Sequence, residues 1–515
     1  MLRALGVLIV LGGPCLAGPY FVAPCLADMP DDSPLFVVPR TAREAARIAA
    51  VVAPTADFTK PESFEGKPGG GASVRARSTP DVFSQFSGNM AFDRQMNFNL
   101  GNALFTKAWV PAPASTMASD GLGSLFNARG CQDCHLKDGR GHVPQTGEAP
   151  VSLFLRLSVP GGPLPDGIVP DGIADWIATV PEPVYGSQLQ TFSTAAVPAE
   201  ATMTTTYTEQ PLQMNGETAS LRVPVYAVTD PAYGTPQADM MLSPRLAPQM
   251  IGLGLLEAIP AADILARADP DDADGDGISG RASIVPSAQT GKPLLGRFGL
   301  KGGAASVMDQ SAAAFAGDMG LSTPLHPDPW GDCTVQETAC RTAPDGQEDG
   351  IRDGLEVDKA SLDLVTFYAR NLGVPERRGP GDPVVLQGKK LFYDIGCIGC
   401  HTPKYVTNRL KDQPEQSFQL IWPYTDLLLH DMGPGLADNR PEGRATGSEW
   451  KTPPLWGLGL SAQIAGHTDF LHDGRARNLL EAVLWHVGEA QAQRDAVVAL
   501  PKPDRAALIA YLESL

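Results

Sequence analysis

The chain of 515 residues is long enough for two to four domains that each bury a core of their own. Its hydrophobic fraction of 43% and charged fraction of 19% are those of a soluble globular protein, while 54 Gly and 47 Pro predict many loops. The formal charge of -18 argues against nucleic acid or an anionic membrane surface as a partner, because phosphate contacts require Lys or Arg.

The N-terminus has the pattern of a secretory signal. Arg3 is followed by an apolar run over residues 4–11, which is too short to span a bilayer, and the small residue Ala27 offers a cleavage point. We therefore predict a signal peptide over residues 1–27 and export to the periplasm. A lipoprotein anchored through Cys25 is the alternative.

Helical patterning begins after an irregular lead-in. Residues 28–80 are rich in Pro, Ala and Gly, and only one short helix, near residues 41–52, is predicted there. From about residue 84 to residue 130 the pattern becomes helical. The first domain is predicted over residues 81–380.

Two pentapeptides have the spacing of a c-type haem attachment site. Two thiols three positions apart can each bond a vinyl-derived carbon of one porphyrin, and the imidazole that follows can bind its iron. A redox dithiol does not need the His, and a zinc site would need both motifs to converge on one ion. We predict two covalently bound haem c groups, with the two His as iron ligands. The motifs read Cys131-Gln-Asp-Cys134-His135 and Cys397-Ile-Gly-Cys400-His401.

The region after the first motif changes from helical to alternating patterning. Residues 151–159 and 220–226 alternate apolar and polar side chains, which predicts an inserted antiparallel β region over about residues 151–245. Helices are predicted again near residues 248–257 and 306–316. The expected fold class is mainly α with this inserted β region.

An acidic loop over residues 269–283 is similar to the first half of an EF-hand calcium loop. Asp272, Asp274 and Asp276 place hard oxygen ligands at alternate positions before a Gly turn. Ser283 stands where the EF-hand has its bidentate Glu. We predict calcium at the three aspartates, with a solvated acidic loop as the alternative.

Cys333 and Cys340 lie in a polar loop with no adjacent His, and a disulfide is predicted between them in an oxidising compartment. A linker rich in Pro and charge follows at residues 375–383. A second helical unit is predicted over residues 381–515, around the second motif.

Taken together, these residues resemble the bacterial di-haem oxidoreductase family, also labelled thiol oxidoreductases, within the di-haem cytochrome c peroxidase superfamily. The resemblance extends from about Phe86 onward and implies two cytochrome c-like haem domains. The phrases that carry it are Asp120-Gly-Leu-Gly-Ser-Leu-Phe-Asn127, Gly254-Leu-Leu-Glu-Ala-Ile-Pro260, Tyr424-Thr-Asp to Asp431-Met-Gly433, Thr452-Pro-Pro-Leu-Trp456 and Phe470-Leu-His-Asp-Gly-Arg475.

The resemblance implies different roles for the two haems. In that superfamily one haem is kept open for peroxide or oxygen, and the other, closed by two protein ligands, relays electrons. Superfamily members place the outer ligand of the second haem fourteen positions after the His of the His-Asp-Gly phrase, and here His472 leads to His486. His486 is therefore the predicted ligand and Met432 the alternative. His472 is predicted to form a hydrogen bond at the haem edge.

The resemblance also implies a proton-transfer pair at the first haem. Cleaving an O–O bond requires a proton moved between the two oxygens, and superfamily members use a Gln followed about ten residues later by an acid next to Met. Gln310 and Asp318, with Met319 next to the acid, fit that pattern with a shorter gap of eight residues. Glu257 is a rival, because burial in its apolar helix would raise its pKa. Lys301 is a further candidate pocket residue.

One departure from the family pattern concerns electron flow. Peroxidase relatives commonly carry a Trp between the haems, ten residues before that Gln, where this chain has Leu300. An aliphatic side chain cannot be oxidised at accessible potentials. Electrons would therefore need direct tunnelling or another aromatic residue.

The function favoured by these motifs is that of an exported, peroxidase-like di-haem oxidoreductase. It would reduce peroxide or dioxygen at the first haem and draw electrons from a small redox protein or another donor. Two alternatives use the same cofactors: an electron-transfer cytochrome with both irons closed, and an oxygenase of the rubber-cleaving type. The sequence does not reveal the oligomeric state.

Overall fold

The computed structural model describes residues 31–145, 147–161, 173–177 and 179–515. The predicted signal peptide over residues 1–27 lies outside these ranges. Within them, no helix is both long and apolar enough to cross a bilayer. The fold is mixed, with 29% helix and 19% strand, which corrects the expectation of a mainly α protein. The reason is that the connections between helices form short antiparallel pairs in addition to the long strands of the insert.

The helices are short, and five of the fourteen α-helices in the described ranges begin at a side chain that caps their free N–H groups. Thr41 and Glu44 form a capping box on the first helix, and Asp358 and Asp382 cap two later ones. The α-helices span Ala42–Val52, Gln95–Phe105, Cys131–Cys134, Leu253–Glu257, Ala261–Leu265, Val307–Met319, Thr338–Arg341, Lys359–Arg370, Pro383–Asp394, Gly433–Leu436, Ser461–Ala465, Leu479–Leu484, Gln491–Ala499 and Lys502–Ser514.

The predicted β region is present, but it forms two antiparallel pieces instead of one sheet. Leu153–Pro160 pairs with Met241–Leu246 on one side and with Thr179–Val180 on the other. Thr202–Met214 and Glu217–Thr229 form a separate hairpin of two long strands. Short strands complete the fold: Val37–Val38, Val110–Pro111, Asp120–Leu122, Leu125–Phe126, Phe192–Ser193, Ile284–Ser287, Lys292–Leu295, Tyr405–Val406, Arg409–Leu410, Leu420–Ile421, Leu429–Asp431 and Glu449–Lys451.

The long hairpin reaches from the insert to the C-terminal helices. Its turn at Asn215 and Gly216 requires a positive φ of 81° at the glycine, which an L side chain rarely adopts. Asn215 N–H donates to the carbonyl of Val498 at 3.1 Å, and the Arg505 guanidinium donates to the carbonyl of Asn215 at 2.7 Å. These hydrogen bonds connect the inserted β region to the C-terminal unit that contains the second haem motif.

The apolar core is divided among several clusters. One surrounds the first motif and includes Phe105 and Phe315, and another surrounds the second motif and includes Phe392 and Tyr511. A third cluster lies between them and combines residues from both halves of the chain, among them Ile251 and Trp456. The predicted disulfide between Cys333 and Cys340 is confirmed.

Candidate haem sites

The first motif opens into a cavity of about 450 Å³. This volume is within the range of cofactor pockets, about 300–1,000 Å³. Both cysteines of the motif are free thiols on its wall. Burial, and after it the negative charge of Asp318, raises the pKa of Cys131 to about 12. The wall is formed by the motif, Phe105, residues 245–250, the helix Val307–Met319 and residues 440–442.

His135 enters this cavity as a neutral imidazole with one nitrogen free. Its Nδ1 lies 2.7 Å from the carbonyl oxygen of Pro248, so Nδ1–H donates and Nε2 keeps its lone pair. Burial lowers the pKa of His135, which favours the uncharged form that binds iron. Among the described residues, no other imidazole lines the cavity.

The helix Val307–Met319 forms one wall of the cavity. The Ser306 hydroxyl caps its start, and Gly320, at a φ of 65°, ends it in the left-handed conformation that favours glycine. Gln310 and Asp318 both face the cavity from this helix. The structure therefore brings the two predicted residues to one wall. Eight residues separate them, which is about 12 Å along a helix axis, so they lie at different positions on that wall.

Asp318 is a partly exposed acid on the wall of the first cavity. Burial raises the pKa of Asp318, while the Arg156 charge and a hydrogen bond from Gln188 partly offset that rise. The Gln310 side chain has no hydrogen-bond partner in the described part of the chain, so its amide is free to meet a ligand. A carboxyl group on this wall can transfer a proton, and an uncommitted amide can donate a hydrogen bond to a ligand in the cavity.

The other two predicted catalytic residues lie outside this cavity, and both form ion pairs inside the protein. The Glu257 carboxylate pairs with Arg370 at 2.6 and 3.0 Å and accepts the N–H of Val307 at 2.9 Å, so it joins two helices. Lys301 is fully buried, and its Nζ donates to Asp438 at 3.0 Å. Burial lowers the pKa of Lys301 to about 8. Both residues act as internal ion-pair partners.

Three arginines on the cavity wall were missed by sequence reasoning. Arg245 and Arg440 contact Glu442 at 3.1 and 2.9 Å. Burial would raise the pKa of Glu442, but the two guanidinium groups hold it at about 2. Arg156 also lines the cavity and has no ion-pair partner in the described ranges. The sequence signal that could have identified Arg156 was a charged residue inside the apolar strand pattern of residues 151–159. Guanidinium groups suit the propionates of a haem.

The second motif places two imidazoles on opposite sides of a narrow gap, with their ring planes tilted by 44°. The ring centroids of His401 and His486 are 6.4 Å apart. His401 Nδ1 lies 3.0 Å from the carbonyl of Tyr424, and His486 Nδ1 lies 2.7 Å from the carbonyl of Ala482. Each ring therefore has its Nε2 free. Burial, and then the neighbouring His486, lowers the pKa of His401 to about 4, so both rings are neutral.

This spacing matches that of two imidazoles bound to one metal ion. A metal–nitrogen bond is about 2 Å long and a ring nitrogen lies roughly 1 Å from the ring centre, which gives a centroid separation of roughly 6 Å. The surroundings are aromatic and apolar, with Phe392 6.1 Å from His401 and Trp485 buried next to His486. The residues of the second site thus fit a haem iron closed on both sides.

The remaining candidates of the second site lie around its edge. Met432 is partly buried against the aromatic cluster and precedes a short helix. His472 is buried and stacks on Trp450 at 3.8 Å between ring centroids. The Nε2 of His472 has no hydrogen-bond partner within the described residues. Burial lowers the pKa of His472 to about 4.

Trp450 is an aromatic residue between the two sites. The Lys451 N–H, next to it, donates to the carbonyl of Leu300, which lines the first cavity. On the other side Trp450 is the cross-strand partner of His430, whose Nδ1 lies 3.5 Å from Cys400 Sγ in the second motif. Sequence reasoning did not find this residue, because its place opposite His430 depends on strand pairing.

The acidic loop gathers a slightly different set of carboxylates from the one predicted. One oxygen from each of Asp269, Asp272 and Asp274 lies within 4.8 Å of the others. The Asp276 carboxylate instead accepts the N–H of Ile278 at 2.8 Å. The loop contacts the second motif through Ser279, which donates to Glu489, a partner of His430.

A family model described as "Di-haem oxidoreductase, putative peroxidase" matches residues 66–515. No curated protein matches the chain. Hydrazine synthase of Kuenenia stuttgartiensis is 18% identical with a TM-score of 0.23, over 40% of this chain and 70% of that one. A MauG-like protein associated with microbial copper homeostasis is 19% identical with a TM-score of 0.20, over 30% of this chain and 56% of that one. Such low TM-scores carry no argument about fold or function.

Proposed function

The chain belongs to the di-haem oxidoreductase family, and from that membership we propose that it is an exported enzyme that reduces peroxide or dioxygen at its first haem. Cys131, Cys134 and His135 would hold that haem. Cys397, Cys400, His401 and His486 would hold the second, which passes on electrons from a small redox protein or another donor. The periplasm supplies the oxidising conditions in which the Cys333–Cys340 disulfide persists.

The observation that carries this proposal is the contrast between the two sites. His135 faces a cavity of about 450 Å³ whose described wall has no second imidazole, whereas His401 faces His486. When bound, each haem supplies iron chemistry: the first exchanges electrons with the oxidant and the second stores and delivers them. An open coordination position beside an acid suits catalysis, and a closed one suits relay.

The first site's own residues would manage protons. Partial burial raises the pKa of Asp318 above its usual value, and a carboxyl group beside a bound oxidant can accept and return a proton. It would take a proton from the bound oxidant and return one to the leaving oxygen. Gln310, from the same wall, would donate a hydrogen bond to the oxidant. Reduction of one peroxide to two waters also consumes two electrons and two further protons.

Two imidazoles of the second site, His401 and His486, would hold its haem and leave no room for an oxidant. The carbonyls of Tyr424 and Ala482 fix the orientation of His401 and His486 through their Nδ1–H groups. Aromatic packing excludes water from the gap. Trp450, between the two sites, would shorten the electron path in place of an aromatic residue at position 300.

Calcium binding remains part of this proposal. The carboxylates of Asp269, Asp272 and Asp274 are close enough together to share one cation, and an uncompensated cluster would repel itself.

The test is peroxide consumption by the mature two-haem protein with a reduced donor. Asp318→Asn should lower the rate by about 10²- to 10⁴-fold, the usual contribution of a general acid–base group. Glu257→Gln is the matched control, because it removes a buried carboxylate outside the cavity. That variant should lose stability and keep its rate per folded molecule. An unchanged rate in Asp318→Asn, or equal losses in both, would refute the assignment.

A further inference from the structure

The inserted β region contributes a side chain to the first cavity's acid. Residues 187–189 run along the strand Leu153–Pro160: Leu157 N–H donates to the carbonyl of Ser187 at 2.8 Å, and Leu189 N–H donates to that of Leu155 at 2.9 Å. Successive side chains of an extended segment point to opposite sides. Leu189 enters the apolar core of the insert, so Gln188 is directed the other way, toward the helix that carries Asp318.

The Gln188 amide has both of its hydrogens committed. Its Nε2 lies 2.8 Å from Asp318 Oδ1 and 2.6 Å from Asn127 Oδ1. Asn127 in turn donates from Nδ2 to the carbonyl of Leu189 at 2.8 Å, so its oxygen must be the atom that faces Gln188. Gln188 therefore presents its NH₂ group, and the second hydrogen goes to Asp318. Gln188 is thus the donor in both of these hydrogen bonds, and one of its two acceptors is a carboxylate oxygen of Asp318.

The backbone of Gln188 is also fixed in place by hydrogen bonds. The Asp332 carboxylate accepts the N–H groups of Ser187 and Gln188 at 2.7 and 2.9 Å. Asp332 precedes Cys333, which the disulfide ties to Cys340. Gln188 is fully buried, so water does not compete for its hydrogen bonds. Because its orientation is already fixed, the Gln188 amide needs little reorganisation when the Asp318 carboxylate changes charge.

We propose that Gln188 is a positioning residue for the first haem site: its amide holds Asp318 Oδ1 and directs the other carboxylate oxygen to the cavity for proton transfer. This inference rests on the proposed function. A hydrogen bond donated to a carboxylate favours its charged form, which opposes the effect of burial. Two groups of the insert, the Arg156 charge and then the Gln188 hydrogen bond, thus oppose the rise in pKa that burial causes at Asp318.

Gln190 offers a matched control two residues away. It is also buried, lies on the same segment, and donates from Nε2 to the carbonyl of Gly317 at 2.8 Å, at the end of the same helix. Gln190→Leu and Gln188→Leu each remove one amide bonded to that helix end. Of the two, Gln188 is the one that contacts the Asp318 carboxylate.

The direct measurement is an infrared titration of the holoprotein. The carbonyl stretch of the protonated Asp318 carboxyl is followed against pH and assigned by its loss in Asp318→Asn. Gln188→Leu should move the titration midpoint up by roughly one pH unit, the amount that one lost hydrogen bond to a carboxylate is worth. Gln190→Leu should leave the midpoint in place. Stopped-flow cyanide binding at the first haem should show the same shift in its pH profile.

Gln188→Met provides a second variant of similar length in case the leucine variant fails to mature. The thioether cannot donate a hydrogen bond to Asp318 and adds no charge, so the midpoint should again rise. An unchanged midpoint in the Gln188 variants, or an equal shift in Gln190→Leu, would overturn the proposal. The infrared result does not depend on turnover. A shifted midpoint in a protein that does not consume peroxide would therefore refute the enzyme assignment and leave the positioning of Asp318 intact.

Discussion

The two haem motifs share a pentapeptide pattern but have opposite surroundings. His135 faces a cavity of about 450 Å³ bordered by two carboxylates, two amides and three arginines, whereas His401 faces a second imidazole at 6.4 Å inside aromatic packing. Three residues after each His stands Asp138 in the first site and Lys404 in the second. The motif therefore predicts where each haem is attached, and residues distant in the chain determine whether the site has room for an oxidant.

The largest expected effect comes from opening the second site. His486→Ala should convert the second haem from low-spin to high-spin, because the free Nε2 of His486 is the group that faces His401. The rate of peroxide reduction should also fall in His486→Ala, because the second haem would lose one of the two imidazoles that fit it for electron transfer. Absorption spectra of the ferric protein measure the spin state. Met432→Leu is the control and should leave the spectrum unchanged, whereas conversion by Met432→Leu alone would make Met432 the ligand.

A buried acid below the first motif gives that site a pH dependence of stability. Burial raises the pKa of Asp138 from 3.8 to about 6, although Ser84 and Tyr368 donate hydrogen bonds to it. The folded chain therefore binds more protons than the unfolded chain between these pH values. The stabilisation from this group is present below pH 3.8 and is lost as the pH rises through about 6.

Unfolding of the Asp138→Asn variant tests this pH dependence of stability directly. A difference of about two pKa units corresponds to about 3 kcal/mol in the free energy of unfolding. From pH 4 to pH 7 the wild type should lose about that much relative to Asp138→Asn in denaturant unfolding. Asp133→Asn, an exposed change in the same motif, should run parallel to the wild type. Parallel curves for Asp138→Asn would show that Asp138 is ionised at both ends of the range.

A smaller effect is expected from the disulfide, which supports only the first site. Replacing Cys333 and Cys340 by Ala should lower the free energy of unfolding by about 2–3 kcal/mol, the chain-entropy value for so short a loop. The pH profile of the first haem should change through Asp332 and Gln188. The spectrum of the second haem should not. Changes of equal size at both haems would mean that the loop supports the whole molecule.

The smallest effect expected is that of calcium, which should act on the second site. The loop bonds to Glu489 and so reaches His430. Calcium at about ten times its dissociation constant should raise the free energy of unfolding by about 1.4 kcal/mol. Asp272→Asn combined with Asp274→Asn should abolish this increase, and Asp276→Asn, whose carboxylate caps Ile278, should not. An increase that survives the double substitution would place the cation elsewhere.

Local spacing was enough to predict the attachment motifs, the disulfide and a long-strand insert. The helix at residues 42–52 was also predictable, because Thr41 and Glu44 carry its cap in the sequence. The contacts of Gln188, Arg156 and Trp450 were not predictable, since each depends on pairing between segments distant in the chain. The ion pair of Glu257 was not predictable either, because its partner Arg370 is 113 residues away in the chain.

Electron paramagnetic resonance of the ferric holoprotein tests the central claim most directly. The account predicts one high-spin signal and one low-spin signal in equal amounts, the first from the haem on His135 and the second from the haem between His401 and His486. Loss of the low-spin signal in His486→Ala would complete the assignment. Two low-spin signals in the unmodified protein would mean that both irons are closed at rest, which would contradict an open first site.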